Sequence, residues 1–375
     1  MIVRTLESQL RDRLFQGKAI VLIGARQVGK STLFNMMTQG VDHVLHLNCD
    51  DPEVRALLAD INLKELQMLI GHHSWVVVDE AQRLENVGIT LKLIIDQFPD
   101  VQLLVTGSSS LGLHDRLSEP LTGRVFEYHL YPISSDELLH TYGLLGVNQL
   151  LESRLIYGSY PDVLNHQQQA RELIMNLSGS YLYKDLLSME GIRRPALLEK
   201  ILTALALQVG SEVKYNEIAQ LVGTDSKTVE KYVHLLEMCD VVFCLSALNR
   251  NVRNELKKGK KIYFWDNGVR NAVIQNFAPL AMRQDVGALW ENFFISERIK
   301  ANHYSRNYAK TYFWRTTAQQ EIDFVEEKDG VFTTFEMKWN HKKATRKVPK
   351  AFAEAYPVAG SYVVTPDDYL QWLRG

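Results

Sequence analysis

Short runs of consecutive apolar residues recur through the first third of the chain, and segments with helical spacing of apolar residues separate them. The runs cover residues 19–23, 43–47, 75–78, 101–105 and 125–130. Buried strands of a parallel sheet give continuous apolar runs, and the connecting helices give the segments between them. The pattern therefore predicts an α/β fold with a parallel sheet for this part of the chain.

The rest of the chain follows other patterns. Residues 134–208 have helical spacing, with no alternation typical of strands. Two short helices around a Gly223-Thr224 turn come next, and then a strand at 241–245, an order typical of a winged helix-turn-helix. In the C-terminal part we expect a long helix over 287–300, then three strands, a helix and a last strand.

Composition narrows the class of protein. The 375 residues include 42 Lys and Arg and 44 Asp and Glu, which gives a net charge of −2. This charge excludes a uniformly basic protein that coats nucleic acid, but it allows a local basic patch. Three cysteines are an odd, sparse set that is typical of a reducing cytoplasm. No apolar run approaches the roughly 18 residues of a membrane span. We expect a cytoplasmic, multidomain protein with no membrane partner and no structural metal.

A glycine-rich segment follows the first apolar run. Residues 24–31 fit the phosphate-loop pattern G-x-x-x-x-G-K-[ST] between a predicted strand and a predicted helix. Backbone N–H groups and the helix N-terminus attract phosphates in such a loop. Lys30 is expected to bridge the β- and γ-phosphates of ATP, and the Ser31 hydroxyl to bind Mg²⁺. The predicted nucleotide-binding residues of this segment are Gly24, Ala25, Arg26, Gln27, Val28, Gly29, Lys30, Ser31 and Thr32.

Polar residues also end two other predicted strands. Asp79 and Glu80 follow the run 75–78. Asp79 is expected to hold Mg²⁺, mostly through water, and Glu80 to polarise the attacking water, so the pair favours hydrolysis over binding alone. Thr106 or Ser108 is a candidate sensor of the γ-phosphate, with Ser108 counted in the nucleotide site and a turn-capping role as the alternative.

An arginine precedes the last strand of this region. Arg124 is placed to reach the nucleotide of a neighbouring subunit as a finger in trans. Arg116 is the second candidate, and an ordinary surface arginine is the alternative. An arginine finger that acts in trans implies a homo-oligomer, and a hexamer is one candidate for its subunit number.

These motifs carry a family resemblance. GARQVGKST, WVVVDEAQ, LLVTGSSS and LTGRVFEYHLYPIS resemble, in this order, the core of AAA-superfamily ATPases, and more narrowly a prokaryotic family with a C-terminal domain of unknown function. Residues 158–161 and 181–185 look like lid motifs of that family, and residues 261–268 look like its junction motif. The resemblance covers nearly the whole chain and implies an ATPase.

The helix-turn-helix segment offers candidates for binding DNA. Asp225 or Ser226 is expected to cap its second helix. Lys227, Thr228, Lys231 and Tyr232 on that helix are candidates to face phosphates or base edges. A basic stretch beyond it is a candidate wing against phosphates through Lys257, Lys258, Lys260 and Lys261. Protein contacts or a solvated linker are the alternatives.

The C-terminal part contains acidic residues in a suggestive order. Asp323 lies on one predicted strand, Glu336 and Lys338 share a face of the next, and Glu291 lies on the preceding helix. This order resembles the PD-(D/E)xK nuclease core. The resemblance implies that Asp323 and Glu336 hold Mg²⁺, Lys338 activates water and Glu291, or alternatively Glu297, completes the ligand set. A binding module that does not cut, or a salt-bridge cluster, is the alternative.

Together these observations predict four parts. They are a P-loop AAA-type ATPase core (1–134), a helical lid (135–198), a winged helix-turn-helix (199–248) and a nuclease-like α/β domain (249–375). The leading hypothesis is an oligomeric ATPase, dependent on Mg²⁺, that acts on DNA as a motor or remodeller. A nucleotide-dependent switch that binds protein partners and an ATP-gated nuclease are the alternatives.

Overall fold

The computed structural model describes residues 2–108, 121–182, 194–248, 259–316, 318–340 and 348–373, without the side chains of residues 180–182. The chain forms two compact units. The first comprises Met1–Pro132 with Met238–Asp240, and the second comprises Ile133–Glu237 with Val241–Gly375.

A five-stranded parallel sheet forms the centre of the first unit. Its strands are β1 (Ala19–Gly24), β2 (Val44–Asn48), β3 (Trp75–Asp79), β4 (Gln102–Ser108) and β5 (Val125–His129), in the order β2-β3-β4-β1-β5. The helices are α1 (Leu6–Arg11), α2 (Lys30–Met37), α3 (Pro52–Ala59), α4 (Leu63–Ile70) and α5 (Val87–Gln97). The predicted α/β fold with a parallel sheet is confirmed for this unit.

The apolar runs form strands because helices cover the sheet. β1 is buried along its whole length. On one face of the sheet, side chains from four strands and three helices form a continuous core, which includes Val21, Val78, Val105, Leu66 and Leu91. The parallel register pairs Gly24 with Ser108 and Val78 with Val105. The carboxyl ends of β1, β3 and β4 therefore meet at one edge, where the predicted nucleotide residues lie.

The second unit contains nine α-helices within the described residues. They are α6 (Ser135–Tyr157), α7 (Pro161–Asn165), α8 (Ala170–Asn176), α9 (Pro195–Leu207), α10 (Tyr215–Val222), α11 (Ser226–Met238), α12 (Asn267–Val273), α13 (Val286–Tyr304) and α14 (Lys350–Ala355). Helix α6 is broken at Gly143, whose φ is 68°. A π-helical turn, Leu177–Leu182, follows α8.

One seven-stranded sheet accompanies these helices, in the order β12-β11-β10-β9-β7-β8-β6. Its strands are β6 (Glu212–Val213), β7 (Val242–Ala247), β8 (Lys260–Phe264), β9 (Lys310–Arg315), β10 (Glu321–Lys328), β11 (Val331–Met337) and β12 (Val358–Val364). β7 and β8 are antiparallel, and β7 is parallel to β9. One sheet therefore contains strands from both sides of the expected boundary between the winged helix-turn-helix (199–248) and the nuclease-like domain (249–375).

Two further structural features concern the cysteines and the helices. The three cysteines, all of them among the described residues, form no disulfide. Among the described residues, the structure has no helix with the length and apolar character needed to span a membrane.

Candidate functional site

The phosphate loop makes a tight turn between β1 and α2. A Cβ atom at Gly24 would lie 2.1 Å from the carbonyl oxygen of Leu130, so only glycine fits there. Gly29, the N-cap of α2, has a φ of 98°, in the left-handed region that glycine adopts without strain. The spacing of the two glycines is thus explained by backbone geometry. Of the other predicted loop residues, Ala25 and Val28 are buried, Arg26 is half-buried, and Gln27 and Thr32 are exposed.

A buried arginine from the start of the chain supports this loop. Arg4 donates hydrogen bonds of 2.6 Å to the carbonyl oxygens of Val28 and Tyr131. It therefore ties the phosphate loop to the segment that follows β5. Arg4 was not predicted as a site residue, because an isolated arginine in an N-terminal helical region carries no motif.

Lys30 and Ser31 lie at the carboxyl edge of the sheet. The Lys30 ammonium donates to the carbonyl oxygens of Gly24 and Ala25, each at 2.9 Å. The Ser31 hydroxyl contacts both carboxylate oxygens of Asp79, at 2.9 and 2.8 Å. The structure thus brings together three residues that the sequence placed in one site from two distant segments.

Asp79 and Glu80 are held from β4. The buried Thr106 hydroxyl donates a short hydrogen bond to the Asp79 carboxylate and accepts one of 3.1 Å from the Glu80 backbone N–H. Glu80 adopts a left-handed conformation with a φ of 53°, which turns the chain sharply after β3. Thr106 therefore fixes the backbone that carries the two carboxylates.

Gln82 links Glu80 to Ser108, another predicted site residue. Its amide nitrogen donates to the Glu80 carboxylate and, at 2.8 Å, to the Ser108 hydroxyl. Its amide oxygen accepts from the Ser108 backbone N–H at 3.2 Å. Gln82 ends the segment WVVVDEAQ, but no role was predicted for it. Its position two residues after Glu80 was the available signal.

The Arg124 guanidinium lies at the opposite edge of the sheet. The backbone oxygen of Arg124 accepts a hydrogen bond from the Ala19 N–H at the start of β1. This point is about 16 Å along the strand from the phosphate loop. The guanidinium pairs with the Asp96 carboxylate at 2.7 Å and is 38% exposed. This bond lowers the pKa of Asp96 and raises that of Arg124. Arg124 is thus distant from the nucleotide site of its own chain, and Arg116 lies outside the described residues.

The helix-turn-helix candidates fall into two groups. Lys227 and Lys231 are exposed on α11. Asp225 caps this helix, as predicted, by accepting from the backbone N–H of Thr228 at 2.9 Å and from its hydroxyl at 2.7 Å. Tyr232 is 4% exposed and packs in the core, so its predicted position towards phosphates is wrong.

The described lysines of the predicted basic wing, Lys260 and Lys261, do not form an exposed surface. Lys261 is 2% exposed, and its ammonium lies 2.5 Å from Glu321 and 3.3 Å from Glu291. Its predicted contact with DNA phosphates is therefore wrong, because β8 directs it into a group of carboxylates. Lys260 is half-buried, with its ammonium 5.8 Å from the centre of the Tyr215 ring. The other two candidates, Lys257 and Lys258, lie outside the described residues.

Glu291 is the acidic residue at the centre of this group. Its carboxylate accepts from the Tyr263 hydroxyl at 2.7 Å and from Lys261. Burial raises the pKa of Glu291 to about 7, although the Lys261 ammonium opposes the rise. Burial would lower the pKa of Lys261, but Glu291 and Glu321 outweigh it and raise that pKa. Lys261 therefore stays a cation inside the protein.

The other nuclease-like residues lie on neighbouring strands. Asp323 accepts from the Met337 backbone N–H at 3.2 Å, and Lys338 lies 3.6 Å from Glu336. Burial raises the pKa of Glu336, with the nearby Asp323 carboxylate adding to the rise. Among the described residues, no three or more His, Cys, Asp or Glu side chains form a group that could hold a metal ion. The Lys261 ammonium, 3.3 Å from Glu291, pairs with the carboxylate that was expected to complete the metal ligands.

Glu297, the alternative acidic residue on the helix, forms ion pairs with residues outside the Glu291 group. Its carboxylate lies 3.2 Å from Arg154 and 2.9 Å from Lys300, and all three side chains are at most 2% exposed. Arg154 also donates to the hydroxyls of Ser135 and Ser159, at 2.8 and 2.9 Å. Glu297 is thus part of a buried ion-pair group and does not complete the Glu291 group.

Two family-like motifs contact each other in the second unit. The buried Asp266 carboxylate accepts from the backbone N–H of Ser159 at 2.6 Å and of Val269 at 3.1 Å. A Cβ atom at Gly158 would lie 1.9 Å from that carboxylate. The motif at 158–161 and the motif at 261–268 therefore form one packed junction. Of the third motif, 181–185, residues 183–185 lie outside the described residues.

Three families match parts of the chain. Residues 16–139 match a family described as an AAA domain. Residues 148–280 match a domain of unknown function (DUF8612), and residues 286–375 match a second domain of unknown function (DUF4143).

Individual proteins are similar over most of the chain. An uncharacterized protein of Mycobacterium tuberculosis is 26% identical over 344 residues, which cover 89% of this chain and 73% of that protein. An uncharacterized protein of Haemophilus influenzae is 25% identical over 333 residues, covering 82% of this chain and 79% of that protein. A Walker-type ATPase of Pyrococcus abyssi has a TM-score of 0.51 at 18% identity, over 73% of this chain and 96% of its own. At that identity the likeness shows the fold alone.

The AAA-domain match covers the segment in which Lys30, Ser31 and Asp79 converge. The likeness in fold to a Walker-type ATPase agrees with it. These findings support a P-loop AAA-type ATPase fold for residues 16–139, the fold that the phosphate-loop pattern predicts.

Proposed function

We propose that the first unit binds ATP with Mg²⁺ and hydrolyses it. The observation that carries this proposal is the contact of the Ser31 hydroxyl with both Asp79 oxygens, at 2.9 and 2.8 Å, beside the phosphate loop. Hydroxyl and carboxylate oxygens are the ligands that Mg²⁺ prefers, so these two residues fit the ion. Steady-state phosphate release in the presence of Mg²⁺ tests the proposal.

Each residue has a distinct task in this proposal. The loop N–H groups and the start of α2 hold the phosphates. Lys30 exchanges its bonds to Gly24 and Ala25 for bonds to phosphate oxygens. Glu80 orients the attacking water and accepts its proton. Bound Mg²⁺ would neutralise charge on the phosphate oxygens.

We propose further that Arg124 acts on the nucleotide of an adjacent subunit in a homo-oligomer. A finger in trans must lie away from its own nucleotide site and must be accessible. The 38% exposure of Arg124 and its place at the amino edge of the sheet meet both requirements. In the isolated chain Asp96 holds the guanidinium, so assembly would exchange this bond for one to a phosphate.

Arg124→Ala is expected to lower ATP turnover by about a thousandfold and to leave ATP affinity unchanged, because a finger acts on the transition state. Phosphate release and nucleotide titration on the assembled protein measure the two quantities. Asp96→Ala is the matched control: it breaks the same ion pair but keeps the guanidinium, so its turnover should equal or exceed that of the wild type. Equal losses in both variants would show that only the ion pair matters.

DNA is the partner that we propose for the second unit. Exposed Lys227 and Lys231 lie one turn apart on α11, the second helix of the helix-turn-helix. Within the seven-stranded sheet, β8 pairs antiparallel with both β6 and β7 beside these helices, which supports a winged arrangement. A DNA-acting ATPase joins this surface to the ATP site in one chain.

Charge reversal of Lys227 and Lys231 to glutamate is expected to weaken duplex binding about tenfold or more. It should also reduce the slope of log affinity against log salt by about two, since each lysine releases about one counterion. Fluorescence anisotropy at several salt concentrations measures both effects. Lys64→Glu, at an exposed position of α4 in the first unit, is the control. An unchanged slope would leave a protein partner as the better proposal.

The two alternatives differ in what supports them. A nucleotide-dependent switch that binds protein partners needs the ATP site and no DNA surface. An ATP-gated nuclease would need the C-terminal carboxylates to bind a metal. The order of α13, β9, β10, β11, α14 and β12 supports the nuclease-like fold. Because Lys261 neutralises Glu291, we propose that this domain serves as a binding module and does not cut.

A further inference from the structure

Gln82 connects two strand ends that the proposed reaction uses separately. Glu80 follows β3, and Ser108 ends β4. One amide side chain contacts the carboxylate of the first and both the hydroxyl and the backbone N–H of the second. The half-buried amide is therefore a bridge between the acid that activates water and the candidate sensor of the γ-phosphate.

The orientation of this amide follows from its partners. A carboxylate accepts only, and a backbone N–H donates only. The nitrogen of Gln82 must therefore face Glu80, and its oxygen must face the Ser108 N–H. Rotating the amide by half a turn would set oxygen against carboxylate and N–H against N–H. The bridge thus has one satisfied arrangement.

The Glu80 backbone is fixed by Thr106, whereas the direction of the Glu80 carboxylate depends on the bridge through Gln82. The Thr106 hydroxyl accepts from the Glu80 N–H at 3.1 Å and so fixes the main chain. Within the described part of the chain, the Glu80 carboxylate accepts its hydrogen bond from Gln82. A change in the position of Gln82 would change where the Glu80 carboxylate points without moving β3.

We propose that Gln82 is a positioning residue that couples the state of Ser108 to the direction of Glu80. When Ser108 turns towards a γ-phosphate, Gln82 loses or shifts its bonds to Ser108, and the Glu80 carboxylate is re-aimed at the attacking water. The inference rests on the proposed hydrolysis of ATP and adds to it a residue that acts through another. Gln82 itself touches neither phosphate nor water in this scheme.

Two substitutions at this position test the coupling. Gln82→Met keeps the length and removes every hydrogen bond, and Gln82→Glu keeps the shape and sets a second carboxylate against Glu80. Both are expected to lower kcat about a hundredfold with KM for ATP within about threefold, because ground-state binding does not use the bridge. In a Glu80→Gln background, Gln82→Met should cost less than about threefold more, since it acts only through Glu80.

Gln67→Glu, an exposed residue of α4, is the control for an added charge in the same unit. A wild-type kcat in both Gln82 variants would overturn the proposal. A parallel loss of nucleotide affinity, or a full additional loss in the Glu80→Gln background, would also overturn it, because either would indicate a general structural role. Absence of turnover and of ATP binding in the wild type would instead refute the proposed ATPase.

Discussion

Glu80→Gln is expected to lower the turnover number for ATP by about a hundredfold or more, with ATP affinity within about threefold of the wild type. Glutamine keeps the shape of the side chain but cannot accept a proton from water. The backbone of residue 80 is fixed by Thr106, so the substitution should not disturb the Ser31–Asp79 contact. The loss would therefore be confined to the chemical step.

Phosphate release and a fluorescent-nucleotide titration measure these two quantities on the full chain. Glu85→Gln is the matched control, since Glu85 is exposed in the same unit. Wild-type turnover in Glu80→Gln would remove the assigned role of Glu80. A joint loss of affinity and turnover would instead mean that Glu80 supports the loop.

Glu297→Gln is expected to destabilise the second unit by about 3–5 kcal/mol, because it leaves two buried cations without their carboxylate. Arg154 and Lys300 lie 3.2 and 2.9 Å from Glu297, and no side chain of the three is more than 2% exposed. Removing one member of a buried ion group costs more than the group contributes as a whole. The substitution lies far in sequence from every candidate ATP residue.

The destabilisation should also depend on pH. Burial alone would raise the pKa of Glu297, but the charges of Lys300 and Arg154 outweigh it and bring the pKa to about 2 from an ordinary value of 4.5. A lowered carboxyl pKa stabilises the folded state fully above the unfolded value, and this stabilisation is lost as the pH falls through the folded value. The difference between wild type and variant should be constant above about pH 5 and shrink below it.

Chemical denaturation followed by tryptophan fluorescence measures this difference. Five of the six tryptophans, all except Trp75, belong to the second unit, so the signal reports mainly on that unit. Glu152→Gln, an exposed residue of α6, is the control. A change below about 1 kcal/mol at pH 7 would contradict the assigned ion-pair group.

Local motifs made much of the first unit predictable. The phosphate loop lies within eight consecutive residues, and local backbone geometry explains why it contains glycines. The central strands were visible because β1 and most of β3 are buried on both faces and so give continuous apolar runs. Asp79 could be placed beside Ser31 since both follow strands of one parallel sheet.

The surroundings of other residues could not be predicted, because they depend on contacts between segments that are distant in sequence. Lys261 looked like part of an exposed basic stretch, yet β8 pairs with β7 and directs it towards Glu291 and Glu321. Tyr232 looked accessible on a helix face that the rest of the unit covers. Gln82 carries no motif of its own, and only the register of β3 and β4 places it beside Ser108. These contacts join segments that sequence spacing alone does not relate.

Steady-state ATP hydrolysis by the full chain with Mg²⁺ tests the central claim most directly. The assay would run without DNA and with single-stranded, duplex and four-way-junction DNA, beside a Lys30→Ala variant. We expect turnover that Lys30→Ala abolishes, because the phosphate loop then lacks its cation, and several-fold stimulation by one form of DNA. Turnover that survives Lys30→Ala, or no turnover under any of these conditions, would contradict the account.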